Sequence, residues 1–383
     1  MDLTKLRAVV RRFPLVGRAR PACASLPERA QEIADIADTA ARKGTDTLHE
    51  GAHALNKAAL LASDCGLPDL ARDLCWQHIN IYREAGHHLT FHQARYMLEP
   101  ALNLARLQIR ADAGQQALRL LDAMYQAVRD GTDLVIETRT LPLTNLSGTR
   151  QEHYKLREWV WLQYLADGIR ALALADRWDE AVTHAKAHQG IGLHLMEGRQ
   201  AAIIAHCLRG MPGAARAVLE ESTPTEPWEQ QVVPCLRVMC AEPRGAAASQ
   251  SIKVMIEHFL EHKPLAGYAV FRARLGLTVA TLASNIDIAA ANHVHTQVTR
   301  EVIESGDGYA ARDALTHRLL GDTSDVHRQA LASLVASSGL GAGKLPATLL
   351  DTLTCSAKIA TEVLTAALQP NRPCGLLDGQ PRS

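Results

Sequence analysis

Two pairs of histidines are spaced closely enough to act together, His88 with His92 and His184 with His188. Residues four apart lie on the same face of an α-helix, and a pair of imidazoles is a common part of a zinc site. Zinc needs three or four ligands, however, and no glutamate completes an HExxH motif in either pair. A structural or surface role is therefore favoured, and we predict no metal site and no catalytic residue.

A glycine-rich stretch at 339–344, with the sequence Gly-Leu-Gly-Ala-Gly-Lys, superficially suggests a phosphate-binding loop. A nucleotide loop of this type follows a strand and carries a serine or threonine after its lysine, whereas leucine follows Lys344. No strand pattern precedes the stretch. We therefore interpret it as a linker between two helices and predict no bound cofactor.

The longest stretch without a helical pattern in the N-terminal half is 138–153, where hydroxyl and amide side chains alternate with leucines. Loops of this length inside a compact array are uncommon and are often functional. If this loop folds back over the protein, we predict that Arg139, Asn145 and His153 contact a ligand. The alternative is an exposed insertion without such a role.

The composition narrows the class of protein. Aromatic residues make up only 4% of the 383 residues, so a β-sheet would have few of its preferred side chains. The 41 basic and 41 acidic side chains balance, which argues against nucleic acid as the partner. No run of about 18 apolar residues could span a membrane, and the eight cysteines are scattered as in a reducing compartment. We predict an all-α, cytoplasmic protein.

Signals for helices are frequent along the chain. Ser25, Pro27 and Glu28 combine an N-cap serine, a first-turn proline and the glutamate of a capping box, and apolar residues follow at a helical period. The predicted helices are 2–12, 27–43, 46–65, 68–85, 90–110, 113–129, 151–175, 178–189, 193–208, 212–221, 228–240, 248–262, 266–284, 286–304, 308–320, 324–338 and 346–368.

These segments suggest five parts. Residues 1–25 form a basic N-terminal arm, predicted as a short helix and a solvated segment. Helical repeats follow over 26–222 with a loop insertion at 130–153, then a proline-rich linker over 223–245, a helical-repeat-like subdomain over 246–369 and a disordered tail over 370–383.

A short motif recurs at four turns between predicted helices. In each, a glycine or aspartate at the turn is followed five residues later by an alanine. The pairs are Gly66 and Ala71, Asp112 and Ala117, Asp176 and Ala181, and Gly210 and Ala215. The first residue permits the reversal of the chain, and the small alanine allows the second helix to pack closely on the first.

The last two alanines lie 34 residues apart, from 181 to 215, which is the period of tetratricopeptide repeats. The turn Ala-Asp-Arg-Trp-Asp-Glu-Ala at 175–181 resembles the turn between the two helices of that family. The resemblance covers 50–221, with insertions and without most of the family's large aromatic residues. It implies an α-solenoid of antiparallel helix pairs, a right-handed superhelical array whose first helices line a concave groove.

Aligning the helix pairs on their alanines predicts the polar side chains of that groove. The alignment places His53, Asp167, Glu197 and Gln200 on that face. It also places there the seven side chains that we predict to contact a ligand, which are Asn56, Lys57, Asn103, Arg106, Arg110, Gln163 and Arg170. Such amides and cations resemble the groove with which some tetratricopeptide domains bind the terminal carboxylate of a peptide. The resemblance thus implies a non-catalytic scaffold, adaptor or regulator that binds a peptide or protein partner.

Three alternatives stay open at this point. The polar face could be hydrated and without a ligand. The protein could be a small-molecule binder or enzyme, with a pocket closed by the 138–153 loop. Exposed helical edges could also join two copies into a homodimer.

Overall fold

The computed structural model describes residues 3–42, 47–241, 246–284, 286–317 and 325–369. Within them the protein is all-α apart from one hairpin, and 73% of the residues are helical. The helices of this part are α1 (Leu3–Val10), α2 (Leu26–Ala41), α3 (Thr47–Asp64), α4 (Pro68–Arg83), α5 (Phe91–Arg110), α6 (Gly114–Asp130), α7 (Arg150–Leu174), α8 (Trp178–Ala187), α9 (Glu197–Leu208), α10 (Pro212–Glu220), α11 (Pro227–Met239), α12 (Ala246–Glu261), α13 (Ala269–Ala283), α14 (Ile288–Ser305), α15 (Gly308–Leu315), α16 (Asp325–Ser337) and α17 (Ala347–Leu368). Strands β1 (Leu134–Ile136) and β2 (Arg139–Leu141) pair antiparallel.

Every predicted helical segment overlaps one of these helices, so the all-α prediction is confirmed. The predicted capping box is present, since the Ser25 hydroxyl accepts from the Glu28 N–H and the Glu28 carboxylate accepts from the Ser25 N–H. The largest difference at a helix start is in α9, which begins at Glu197 and not near 193. Tertiary hydrogen bonds explain this, because the Leu193 carbonyl accepts from Thr223 and the Leu195 N–H donates to Glu229.

The four predicted turns have the same structure. Gly66, Asp112, Asp176 and Gly210 all adopt the left-handed conformation, with φ of 77°, 58°, 57° and 71°. At each turn the N–H of the next residue donates to the carbonyl five residues earlier at 2.9–3.0 Å, which is the Schellman ending of a helix. The four alanines are Ala71, Ala117, Ala181 and Ala215, and all are 0% exposed. Their predicted tightly packed positions are therefore confirmed.

Helices that follow one another in the chain pack together throughout α2 to α16. A second set of contacts joins alternate helices, because α3 contacts α5, α5 contacts α7, and α7 contacts α9. The same relation links α11, α13 and α15. Odd-numbered helices thus form one side of the array in two runs, α3 to α9 and α11 to α15, and we call this the odd-helix side.

The buried apolar residues form two clusters. The first cluster contains residues of α2 to α6, the hairpin, the N-terminal part of α7 and α17. The second contains residues of α1, the C-terminal part of α7 and the helices from α8 to α16. Helix α17 therefore returns to the beginning of the array, where it packs against α2, α3 and α4. Within the predicted linker 223–245, α11 is part of the second cluster, while 242–245 lie outside the described residues.

The N-terminal residues hold the predicted short helix, α1, but the segment after it is solvated only in part, over residues 18–22. Helix α1 buries Leu6 and Val9 against the second cluster, and Phe13 and Leu15 beyond it are 5% and 2% exposed. The segment is partly buried because its apolar residues pack on the protein, while the exposed arginines between them remain at the surface. The predicted tail 370–383 lies outside the described residues.

Among the described residues, none of the helices combines the length and the apolar character that a bilayer-spanning segment requires.

Candidate functional site

A groove on the odd-helix side of α3, α5 and α7 has a volume of about 450 Å³, and we call it the inner groove. It is lined by seven of the ten predicted site residues, which are Asn56, Lys57, Asn103, Arg106, Arg110, Gln163 and Arg170. Apolar side chains such as Leu60 and Leu107 form the rest of its wall. Residues from three separate helices thus meet at one surface.

One end of the inner groove carries a chain of amides around a carboxylate. The Asn56 side chain donates to Glu99 at 2.8 Å and accepts from Asn103 at 3.3 Å. Burial raises the pKa of Glu99, against the opposing effect of Arg95 at 3.4 Å. Lys57 forms an ion pair with Glu32 at 2.5 Å. Asn56, Lys57, Glu99 and Asn103 are half-buried, and these bonds fix their polar atoms at the surface of the groove.

The other end carries arginines. Arg106 bonds to Asp167 at 2.9 Å and to the Gln163 side chain at 3.1 Å. Arg110 forms an ion pair with the buried Asp64 at 3.1 Å. Both carboxylates are nearly inaccessible while the guanidinium groups are half-exposed, so the positive charges face the groove and the negative charges face the protein.

Arg170 differs from its neighbours, since no described residue forms a hydrogen bond or ion pair with it. Solvent reaches the Arg170 side chain, but the walls of the groove surround it. The resulting desolvation lowers the pKa of Arg170. Asp167 acts in the opposite direction, while the cations Arg274, Arg106 and Arg110 lower the pKa further. A guanidinium held among other guanidinium groups favours the approach of an anion.

The three predicted loop residues do not join the inner groove. Arg139 lies over the ring of Trp76 at 4.4 Å, in a separate cavity of about 690 Å³ between α4, α17 and the hairpin. Asn145 is exposed and has a φ of 57°. His153 stacks on Phe91, with ring centroids 5.0 Å apart.

Burial of the hairpin explains this placement. Leu134, Ile136 and Leu141 are part of the first cluster, and the Thr140 carbonyl accepts from Arg83 of α4 at 2.8 Å. The loop is thereby held against α4 and the beginning of α5, away from Arg106 and the other groove residues.

Three of the four paired histidines take part in local packing, while His88 is exposed. His184 and His188 both contact the ring of Tyr164, with centroids 4.6 and 4.7 Å from it, and His92 lies 2.9 Å from the Tyr96 hydroxyl. In the described ranges, no group of three histidine, cysteine, aspartate or glutamate residues is arranged to hold a metal ion.

Among the groove-lining residues that sequence reasoning did not select are Glu99 and Trp159. Glu99 lies four residues before Asn103 and seven before Arg106, so the helical period could have found it. Trp159 carries no such signal, because an aromatic residue at helical spacing more often belongs to the core.

Comparisons with protein-family models, curated proteins and solved structures found no match to this chain.

Proposed function

We propose that the helix pairs form a right-handed α-solenoid of the tetratricopeptide kind, and that the protein is a non-catalytic scaffold, adaptor or regulator. Two observations support the architecture: the four turns share one hydrogen-bond pattern, and alternate helices contact each other along the odd-helix side. In a solenoid, stacking of equivalent helices produces an extended surface suited to an extended ligand.

The proposed ligand is a peptide or a protein segment that lies along the inner groove. The observation that carries this proposal is the convergence of seven polar side chains from α3, α5 and α7 on one surface. Amides such as Asn103 can bond to the peptide backbone, and arginines such as Arg170 can bond to a carboxylate. An acidic segment or a terminal carboxylate therefore fits the groove best.

The alternative, a small-molecule binder or enzyme closed by the 138–153 loop, requires the loop and the arginines to share one pocket. Arg139 and His153 contact Trp76 and Phe91 instead. This separation favours the peptide proposal. A homodimer stays a prediction, and light scattering of the full chain tests it.

The test uses a library of random seven-residue peptides with free carboxyl termini, selected on the full-length protein. Selected peptides are then titrated against Arg170→Glu, a change that breaks no ion pair among the described residues. Loss of one charge-assisted contact and its replacement by repulsion should weaken binding by about 10- to 100-fold. Arg106→Glu/Arg170→Glu should abolish binding while the circular dichroism signal of the helices persists.

Arg119→Glu/Arg157→Glu is the matched control, since it makes the same charge change at two exposed arginines that do not line the groove. The affinity of this variant for the selected peptides should equal that of the wild type. Equal binding by the wild type and by Arg106→Glu/Arg170→Glu would refute the proposal.

A further inference from the structure

Residues 13–23, which we call the N-terminal strap, contain no helix or strand and cross the odd-helix side of the second cluster. Their contacts follow the order of the array. Leu15 bonds to α9, Gly17 packs on α11, Arg20 bonds to the residue Gly267 just before α13, and Cys23 bonds to α15. One segment therefore meets four successive odd-numbered helices or their starts, as a peptide bound along a groove would.

The backbone of the strap is recognised directly. The Leu15 N–H donates to the Gln200 side-chain oxygen at 2.8 Å, and the Gln200 side-chain nitrogen donates to the Leu15 carbonyl at 2.8 Å. Gln200 is 0% exposed, so a buried and fixed side chain recognises one peptide unit of the strap. Farther along, the Arg20 N–H donates to the Gly267 carbonyl and the Cys23 carbonyl accepts from the Gly308 N–H, both at 3.0 Å.

The surface beneath the strap also discriminates between side chains. A Cβ atom at Gly17 would lie 2.3 Å from the Trp228 ring, so this position accepts only glycine. Arg18 forms an ion pair with Glu197 at 2.5 Å, and the Arg20 guanidinium lies 4.8 Å from the centre of the Tyr309 ring. Phe13 and Leu15 fill apolar positions. The surface thus reads the pattern Phe-x-Leu-x-Gly-Arg-x-Arg.

We infer that the odd-helix side of α9, α11, α13 and α15 is a second peptide-binding groove, specific for an extended segment of this pattern and filled in cis by the protein's own strap. Residues 18–22 are exposed on five consecutive positions, so no described residue covers this part of the strap. Tethering gives it an effective concentration of the order of millimolar, which keeps the groove filled. The inference does not depend on a ligand for the inner groove, because the two grooves use different helices.

The test titrates a fluorescent peptide of residues 12–25 against the full-length protein under reducing conditions. The wild type should show no saturable binding up to about 100 µM, because the tethered strap competes. Arg18→Glu/Arg20→Glu alters only exposed side chains and sets a carboxylate against Glu197, so the strap should loosen. This variant should bind the wild-type peptide at least about 10-fold more tightly than the wild-type protein does.

Three controls make the result specific. A peptide with Gly17→Leu should not bind, adding Gln200→Leu to the strap variant should abolish binding, and Arg119→Glu/Arg157→Glu should behave as the wild type. Gly17→Leu in the protein provides a second way to displace the strap through the clash with Trp228.

Hydrogen exchange gives an independent readout. In the strap variants the amides of Leu15 and Arg20 should exchange at least about 10-fold faster, while those of α13 keep their rates. The inference is overturned if the peptide binds none of the strap variants, or if the strap amides exchange only together with those of α13.

Discussion

The two grooves of the odd-helix side differ in what lies in them. The inner groove of α3, α5 and α7 is open and presents arginines whose carboxylate partners face the protein. The groove of α9 to α15 is filled by the N-terminal strap, and its polar groups are bonded to the strap's backbone. The same array of helix pairs thus has one surface with hydrogen-bonding groups still available to a ligand, and one surface whose hydrogen-bonding groups are already paired with the strap.

This difference predicts where substitutions act. In the filled groove, polar side chains hold the fold together, so their loss should lower stability. In the open groove, polar side chains belong to the proposed ligand site, so their loss should change the proposed binding and leave stability nearly unchanged. Matched substitutions in the two regions test the distinction.

The largest difference is expected for arginines in ion pairs. Arg272 and Glu301 of the second cluster are both buried and form two hydrogen bonds, at 2.9 and 3.0 Å. Arg272→Met leaves the Glu301 carboxylate buried without its ion-pair partner and should lower the free energy of unfolding by about 3–5 kcal/mol. Arg110→Met in the inner groove should lower it by at most about 1 kcal/mol, because Arg110 is half-exposed and Asp64 keeps its ion pair with Arg29. Urea denaturation followed by circular dichroism measures both, and equal effects would break the comparison.

A pair of glutamines gives the next largest effect. Gln200→Leu leaves the N–H and carbonyl of Leu15 without partners in a buried site, which should lower the free energy of unfolding by about 2–4 kcal/mol. Gln163→Leu in the inner groove removes only a bond to Arg106 and should stay within about 1 kcal/mol of the wild type. Thermal unfolding ranks the two variants, and a Gln163→Leu protein as unstable as Gln200→Leu would contradict the distinction.

The repeated turns should respond alike in both regions. Ala117→Met in the first cluster and Ala181→Met in the second each force a larger side chain into a fully buried position. Each should lower the free energy of unfolding by about 1–3 kcal/mol. Chemical denaturation of the two variants checks this, and a tolerated methionine at either site would mean that the two turns are not equivalent.

The smallest effect is expected at Arg170, the groove arginine without an ion pair among the described residues. Arg170→Gln removes a cation that lies near Arg106, Arg110 and Arg274, so the free energy of unfolding should change by less than about 0.5 kcal/mol. Differential scanning calorimetry at low salt measures it. A large destabilisation would show that Arg170 supports the fold and would weaken its assignment to ligand binding.

The candidate site was predictable in part. The seven groove residues follow from the helical period and from the repeated alanines, which fix how each helix is turned relative to the next. Arg139, Asn145 and His153 could not be placed, because their positions depend on the packing of the hairpin against α4. Nothing in the local sequence around 138–153 specifies that contact.

The sequence by itself determined the helices and their turns, because the bonds that define them join residues no more than five apart, as at Gly66 and Asp176. Only the tertiary structure decided that the strap lies along the second groove, since the bond between Leu15 and Gln200 joins residues 185 apart. It also decided that α17 returns to α2 and α3. Such contacts depend on the shape and polarity of surfaces that exist only after the helices have packed.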